Sequence, residues 1–225
     1  MYHSIGNNSA FFTVSAEQFD LQMRYLAQQG YSVVSVSDMV SHLERHTALP
    51  PKSVVLTFDD GYRDNYDYAF PILKKYGFPA SIFLTTGALG ASRTTRSGVT
   101  LPMLDAVQIR EMQRSGLVAF YPHTDSHPKL DTLPDEDVRR EIVTSDEKIQ
   151  QLLNSESSGI FAYPYGSFNE RVRAVLHQLG YRAAFTVRAG TVTSDADVLR
   201  LNRNSIDSAV TMAMFRGIVQ RGRYS

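Results

Sequence analysis

The sequence predicts an α/β fold, a seven-stranded β/α barrel that is closed or incomplete, and three observations lead there. Short β-rich runs alternate with helical stretches along nearly the whole chain, the pattern of parallel strands joined by helical crossovers. Seven such runs can be traced in one domain spanning residues 1–225, which favours a closed or nearly closed barrel over a flavodoxin-like open sheet. The unusual polar clusters fall directly after β-rich runs, on the edge where parallel α/β folds build their sites.

The elements follow in order. Ser15 with Gln18 has the form of a capping box, Phe19, Met23 and Leu26 recur at helical spacing, and Gly30 ends that helix. Residues 31–36 are β-rich, and Ser37 is placed to cap a short helix ending near His46. Pro50 and Pro51 break the chain, and residues 53–58 read as a buried strand. Residues 65–76 are helical in pattern, with Pro71 limiting the assignment. Residues 80–85 form the next strand, and residues 87–102, rich in Gly, Ser, Thr and Arg, read as a long loop. A helix over 105–115 stops at Gly116, and residues 117–121 are a strand. Residues 134–153 form a long charged helix, 159–163 a strand, and Asn169 caps a helix ending at Gly180. Residues 181–187 and 198–201 supply two more strands, and residues 208–219 a last helix.

Composition narrows the function classes. Lys plus Arg equals Asp plus Glu at 23 each, so net charge offers no argument for nucleic acid or an anionic membrane as partner. No apolar run reaches the length of a membrane span. The chain has no cysteine, which excludes disulfides and thiolate chemistry. The first residues lack the basic and apolar blocks of a signal peptide, and the sequence is consistent with one domain of a larger exopolysaccharide-processing protein.

Asp59-Asp60-Gly61 follows the strand over 53–58, His123 follows the strand over 117–121, and Tyr163-Pro164-Tyr165-Gly166 closes the run from Gly159. Two carboxylates leaving water together need a cation or donors to compensate. Neighbouring residues point apart, so one can ligate a metal while the other faces a reacting water. His123 and His127 are four residues apart, but Pro122 and Pro128 flank them, so His127 is expected in an extended or turn conformation. Two His and one Asp form a three-ligand set with an open position, the pattern of hydrolytic metal sites, and a second carboxylate can act as base. Such a set suits Zn²⁺ and also Co²⁺, Ni²⁺ or Fe²⁺.

Thr57-Phe58-Asp59-Asp60-Gly61-Tyr62, His123-Thr124-Asp125-Ser126-His127-Pro128 and Phe161-Ala162-Tyr163-Pro164-Tyr165-Gly166 resemble, in order and spacing, the three motifs of the polysaccharide deacetylases. This is the NodB-homology domain of carbohydrate esterase family 4. The resemblance implies a distorted (β/α)7 barrel, with Asp59 as catalytic base and Asp60, His123 and His127 as metal ligands. It implies Tyr163, Pro164 and Tyr165 at the substrate groove, with the Tyr165 N–H as an oxyanion donor. The substrate it implies is an N-acetylated glycan, outside the cytoplasm in most relatives.

Tyr62 after Asp-Asp-Gly, the Tyr-Pro-Tyr-Gly segment and the opening Tyr2-His3 look most like the deacetylases of poly-β-1,6-N-acetylglucosamine. Chitin- or peptidoglycan-directed deacetylation, another metal-dependent amide hydrolysis and an inactive glycan binder are the alternatives. Two departures stand out. Ala162 occupies the place of an Arg that steadies the base in many members, and Leu201-Asn202-Arg203 lacks their late acid His. Arg203 is the candidate partner of Asp59 and is also counted among the residues of the substrate groove; no proton donor can be named from the sequence. His3 reads as a structural residue near the rim, and Asp125 either approaches the metal site or closes a turn.

Overall fold

The computed structural model describes residues 1–223. β1 (Ser4–Ile5) runs parallel to β2 (Thr13–Val14), and α1 (Ala16–Gln28) follows with Ser15 Oγ accepting from the Gln18 N–H. The expected stripe of Phe19, Met23 and Leu26 is buried. β3 (Ser32–Val34) is shorter than the run that predicts it, because Ser35 rather than Ser37 caps α2 (Val36–Arg45). The reason is local. Ser35 Oγ accepts from the Asp38 N–H and the Asp38 carboxylate returns to the Ser35 N–H, whereas three residues beyond Ser37 stands Val40, which cannot reciprocate.

The strand expected over 53–58 divides. β4 (Ser53–Val55) pairs with β3, and β5 (Thr57–Asp60) pairs with β6 (Ala80–Leu84), all parallel. The segment over 65–76 is a π-turn at Asn65–Ala69 followed by α3 (Phe70–Tyr76), and Pro71 sits in the first turn of α3, where no N–H is needed. The long loop over 87–102 contains an antiparallel hairpin of β7 (Ser92–Thr94) and β8 (Thr100–Pro102). Asp105 and Gln108 make a two-way cap on α4 (Ala106–Arg114), and β9 (Val118–Pro122) pairs with β6. α5 (Asp135–Leu153), β10 (Ile160–Ala162), α6 (Glu170–Gln178) and β11 (Ala183–Phe185) follow, with β10 and β11 parallel. α7 (Met212–Arg221) starts later than expected, capped by Thr211.

The expected strand over 198–201 is reduced to a bridge between Leu201 and Phe185. Beyond it the chain still closes the ring by single bonds: Arg203 N–H to Arg188 O, Ile206 N–H to Met1 O, Tyr2 N–H to Thr57 O and Asp59 N–H to Tyr2 O, each 2.8–2.9 Å. Among the described residues no ladder joins β9 to β10. That seam is crossed by His123 Nδ1 donating to the Ala162 carbonyl at 2.7 Å. The architecture is therefore the distorted β/α barrel of the sequence reading, with its distortion at the seam where a candidate ligand sits. Phe83, Tyr121, Ala162, Phe185 and Leu201 pack into one buried cluster, and Tyr2, Phe19 and Phe58 anchor another. No helix among the described residues is long and apolar enough to cross a membrane.

Candidate active site

Three strand ends converge. Asp59 and Asp60 end β5, His123 follows β9 and Pro164-Tyr165 follows β10. The backbone there is bent into rarely used conformations. Asp60 (φ 73°), Thr124 (φ 69°), His127 (φ 64°) and Tyr165 (φ 59°) are all left-handed, four of the seven such non-glycine residues described. Each costs about 1–3 kcal/mol and persists only where its surroundings fix it. His127 is thus neither extended nor in an ordinary turn, as the following proline suggested; its N–H is held instead by Thr124 Oγ1 at 3.0 Å. Gly61 continues the turn at φ 85°, and a Cβ there would lie 2.6 Å from Leu84 Cδ2.

The loop from His123 to His127 is fastened on both sides. Thr86 and Gly87 donate their N–H groups to the carbonyls of Thr124 and Asp125. From α5, Glu141 accepts the N–H groups of Asp125 (3.0 Å) and Ser126 (2.8 Å) and the Ser126 hydroxyl (2.6 Å). Asp125 itself turns to Thr86 Oγ1 and Lys148 Nζ, so it braces the loop rather than joining the cluster.

Asp60, His123 and His127 are buried, and one candidate ligand atom from each lies within 4.8 Å of the others. Asp60 Oδ1 is buried, 3.1 Å from His127 Nε2 and 3.8 Å from His123 Nε2. A buried carboxylate oxygen facing two imidazole nitrogens fits a divalent cation. His123 Nδ1 donates to Ala162 O, which leaves Nε2 as the ligand atom, the usual outer support of a metal-bound His. Burial first, opposed by the carboxylates, lowers the His123 pKa to about 4, so its imidazole is neutral at physiological pH. Burial pushes Asp60 up, but the hydrogen bond and charge of His127 outweigh it and hold the carboxyl well below its ordinary value.

Asp59 faces the other way, as expected for neighbours on a strand. Arg203 grips it with two parallel bonds, Nη1 to Oδ1 and Nη2 to Oδ2, both 2.7 Å. Arg203 Nε donates to Thr186 O, and its guanidinium lies 5.3 and 5.6 Å from the Phe83 and Phe185 ring centres. Burial raises the Asp59 pKa, and the Arg203 charge more than reverses it, leaving a carboxylate below its ordinary value. The guanidinium missing at Ala162 is thus supplied from Arg203. Fully engaged and 6% exposed, Arg203 has no face for substrate, which corrects its assignment to the substrate groove.

Tyr163 is corrected as well. Its ring has no exposed surface, stacks on Phe168 and donates its hydroxyl to Leu199 O. A side chain that stiff and dry holds the turn and does not touch glycan. Pro164 is buried, while Tyr165 is 44% exposed with its ring 4.5 Å from that of His127.

One residue at the site escaped the sequence reading, and another was read there as structural. Arg93, from β7, places Nη1 3.2 Å from Asp60 Oδ1 and Nη2 2.7 Å from His127 Nδ1. An arginine only donates, so His127 Nδ1 accepts here; ligation through Nε2 leaves Nδ1 protonated and requires Arg93 to turn aside. The Arg-bearing long loop was the available signal. His3 is the other. The bonds from Tyr2 to Thr57 and from Asp59 to Tyr2 set it beside β5, its backbone is held by Asn65, and its ring lies against Phe12. Burial lowers its pKa, and the charges of Asp60 and Asp59 oppose that shift.

The chain matches the polysaccharide deacetylase family model over residues 46–184. The chain belongs to the polysaccharide deacetylases. Among its relatives, the poly-beta-1,6-N-acetyl-D-glucosamine N-deacetylase of Staphylococcus epidermidis is 30% identical over 85% of this chain and 67% of its own. Deacetylase PplD of Streptococcus pyogenes, solved with acetate, superposes with a TM-score of 0.86 at 28% identity, covering 99% of this chain and 96% of PplD. IcaB from Ammonifex degensii gives 0.84 at 27% identity, over 97% and 93%. The protein is a deacetylase acting on an acetylated glycan, on the NodB-type fold. Its Asp60, His123 and His127 form a group able to hold a metal.

Proposed function

We propose that this deacetylase is metal-dependent and removes N-acetyl groups from N-acetylglucosamine residues of an exopolysaccharide, of the poly-β-1,6-linked kind named for its staphylococcal relatives. The observation that carries the metal dependence is the buried cluster of Asp60, His123 and His127, with Asp60 Oδ1 facing two imidazole nitrogens. A divalent ion held by Asp60, His123 and His127, with Zn²⁺ first and Co²⁺, Ni²⁺ or Fe²⁺ as substitutes, supplies Lewis acidity toward the acetamide carbonyl and the attacking water.

The chain's own residues do the rest. Asp59, ionised and clamped by Arg203, accepts the proton of the attacking water through the oxygen edge not committed to the guanidinium. The Tyr165 N–H is the donor to the tetrahedral oxyanion, a role whose loss costs about 10²–10³ in rate. His3 is the proton donor to the leaving amine. Its support is position: Tyr2 pairs with Phe58 and accepts from the Asp59 N–H, which sets His3 beside Asp59 in the strand register, and the late segment offers no His.

The test is acetate release from β-1,6- and β-1,4-linked N-acetylglucosamine oligomers, with chelator and with each metal restored. Turnover abolished by chelation and recovered with Zn²⁺, and a β-1,6 preference, are the expected results. Asp59→Asn should keep the ion, measured by calorimetry, while kcat falls by about 10²-fold or more. Undiminished turnover in that variant would remove Asp59 from the base role, and chelator-resistant turnover would end the metal scheme.

A further inference from the structure

Phe11, in the turn that leads into β2, is an apolar ring that the fold leaves uncovered. It is 72% exposed, the most exposed aromatic side chain among the described residues. A single apolar residue on a surface is ordinary, but this one is the outer member of a stack. Its ring meets that of Phe12 edge-on at 5.3 Å; Phe12 stacks on Tyr62 at 5.4 Å and lies 5.4 Å from the His3 ring. Tyr62 follows Asp60 and Gly61 directly, and His3 stands beside Asp59 in the strand register. Of the five large apolar side chains exposed among the described residues, Phe11 and Tyr165 are the two that ring contacts join to the rim, Tyr165 through His127 and Phe11 through Phe12. The turn also fixes the ring. The Phe11 carbonyl accepts the Ser208 N–H at 3.1 Å and the Ser208 hydroxyl at 2.7 Å. The Thr13 N–H closes onto the Ala10 carbonyl at 2.9 Å, Asn8 Oδ1 accepts the Ala10 N–H at 3.0 Å, and Phe12 is half-buried on the cluster of Ala10, Tyr62, Leu101 and Met103.

We propose that Phe11, backed by Phe12, is a sugar-stacking subsite that takes the apolar face of a pyranose ring near the one deacetylated. The inference rests on the deacetylase reading above and adds a second point of contact for the same glycan. A β-linked N-acetylglucosamine ring presents axial C–H bonds on its faces and carries no charge, so its face packs on an aromatic ring as another apolar surface does. Two ring-to-ring steps separate Phe11 from His3, a distance within reach of the next sugars of a chain. Tyr165 lies against His127 and Phe12 against His3, so the two aromatic contacts reach the centre through different residues and hold the chain at two points. A ring ordered before its ligand arrives loses little conformational freedom on binding, which favours a turn as tightly bonded as this one. Exposed as it is, the Phe11 ring contributes little to the core, and its apolar surface is buried only when something lies on it.

The experiment measures acetate release from β-1,6- and β-1,4-linked N-acetylglucosamine hexamers by the native chain, Phe11→Ser, Phe11→Trp and Val107→Ser, the last at an equally exposed position on α4. Phe11→Ser should raise KM for the preferred hexamer about threefold to tenfold, the worth of one aromatic contact, with kcat changed less than about twofold. Phe11→Trp should restore the native KM, and Val107→Ser should leave it in place. The same substitutions carried on Asp59→Asn and titrated with the hexamers by calorimetry read binding without turnover, and so separate the two readings. Binding weakened by Phe11→Ser, with no acetate released from either hexamer by the native chain, would keep the subsite and sink the deacetylation scheme. Binding and KM within about twofold of the native chain, or a fall in kcat alone, overturn the subsite, and so does a native chain that binds neither hexamer. Reduced binding of Phe11→Ser to phosphatidylglycerol vesicles with hexamer binding unchanged also overturns it, and assigns the ring to a membrane surface.

Discussion

Arg203→Met isolates the pair on which the base depends. The substitution keeps a long apolar stem between Phe83 and Phe185 but removes both 2.7 Å bonds to Asp59 and the bond to Thr186 O. Asp59 is 2% exposed, so it is left as a buried carboxylate without a counter-charge. Breaking one side of such a pair costs about 3–5 kcal/mol. For a chain of this size that is roughly 6–20 °C in Tm. The pH dependence gives the sharper readout. In the native protein the folded pKa of Asp59 lies below its ordinary value, so its contribution is fully present above about pH 4 and is lost as pH falls through the lowered folded pKa. In the variant burial, the largest cause, is opposed only by the charges of His123 and His3, and the folded pKa moves above the ordinary value. Protonation then favours the fold, and the variant gains relative stability as pH falls from 8 toward 4. The stability gap between the two should narrow across that interval, measured by urea unfolding at fixed pH steps. The acid limb of kcat/KM should move upward together with it. Adding Asp59→Asn should recover part of the lost stability, because the orphaned charge is gone. A gap under about 1 kcal/mol that does not change with pH would refute the argument, since it would mean that Asp59 is solvated or repaired by another group.

Arg93→Ala should tighten divalent-ion binding by about tenfold, about 1.4 kcal/mol, because the guanidinium competes for Asp60 Oδ1 and His127 Nδ1; calorimetric titration checks it, and weaker binding would make Arg93 a support of the site. Glu141→Ala removes the acceptor of three donors under the His loop, and should weaken the ion about 10–100-fold with at most a few degrees lost in Tm, read by chelator competition. Tyr165→Gly relieves a left-handed backbone, so stability should hold or rise by up to about 1 kcal/mol while kcat/KM falls; lost stability with intact turnover would show that the strained turn serves the fold and not the reaction.

What the sequence made legible is what short-range rules govern. Strand and helix alternation, the caps at Ser15 and Asn169, and the rim position of the Asp-Asp and His clusters all follow from local pattern, and the structure contains them. The Ser37 cap failed because two serines compete two residues apart, and the winner is the one whose third neighbour can answer. The strand over 198–201 faded because the barrel is closed there by single bonds from residues that look like loop, Arg203 and Ile206, reaching the first residues of the chain.

The site shows the limit more clearly. Which residues form it was readable; how they are aimed was not, because aim depends on left-handed backbone at Asp60, Thr124, His127 and Tyr165. Local propensity argues against that conformation at every one of these positions, and a proline after His127 argues the same way. The deciding contacts come from far along the chain: Glu141 under the loop, Thr86 against Asp125, Ala162 against His123 and Arg203 around Asp59. Tyr163 and Tyr165 illustrate the consequence. They are chemically alike and two apart, yet one is dry and structural while the other stands in the mouth, because the left-handed turn at Tyr165 swings its ring out against His127. Long-range bonds thus hold a backbone that local energetics disfavours. The predicted signature is that substitutions relaxing the turn, such as Tyr165→Gly, separate stability from turnover, whereas those removing the distant supports, such as Glu141→Ala, lower ion affinity well before they unfold the barrel.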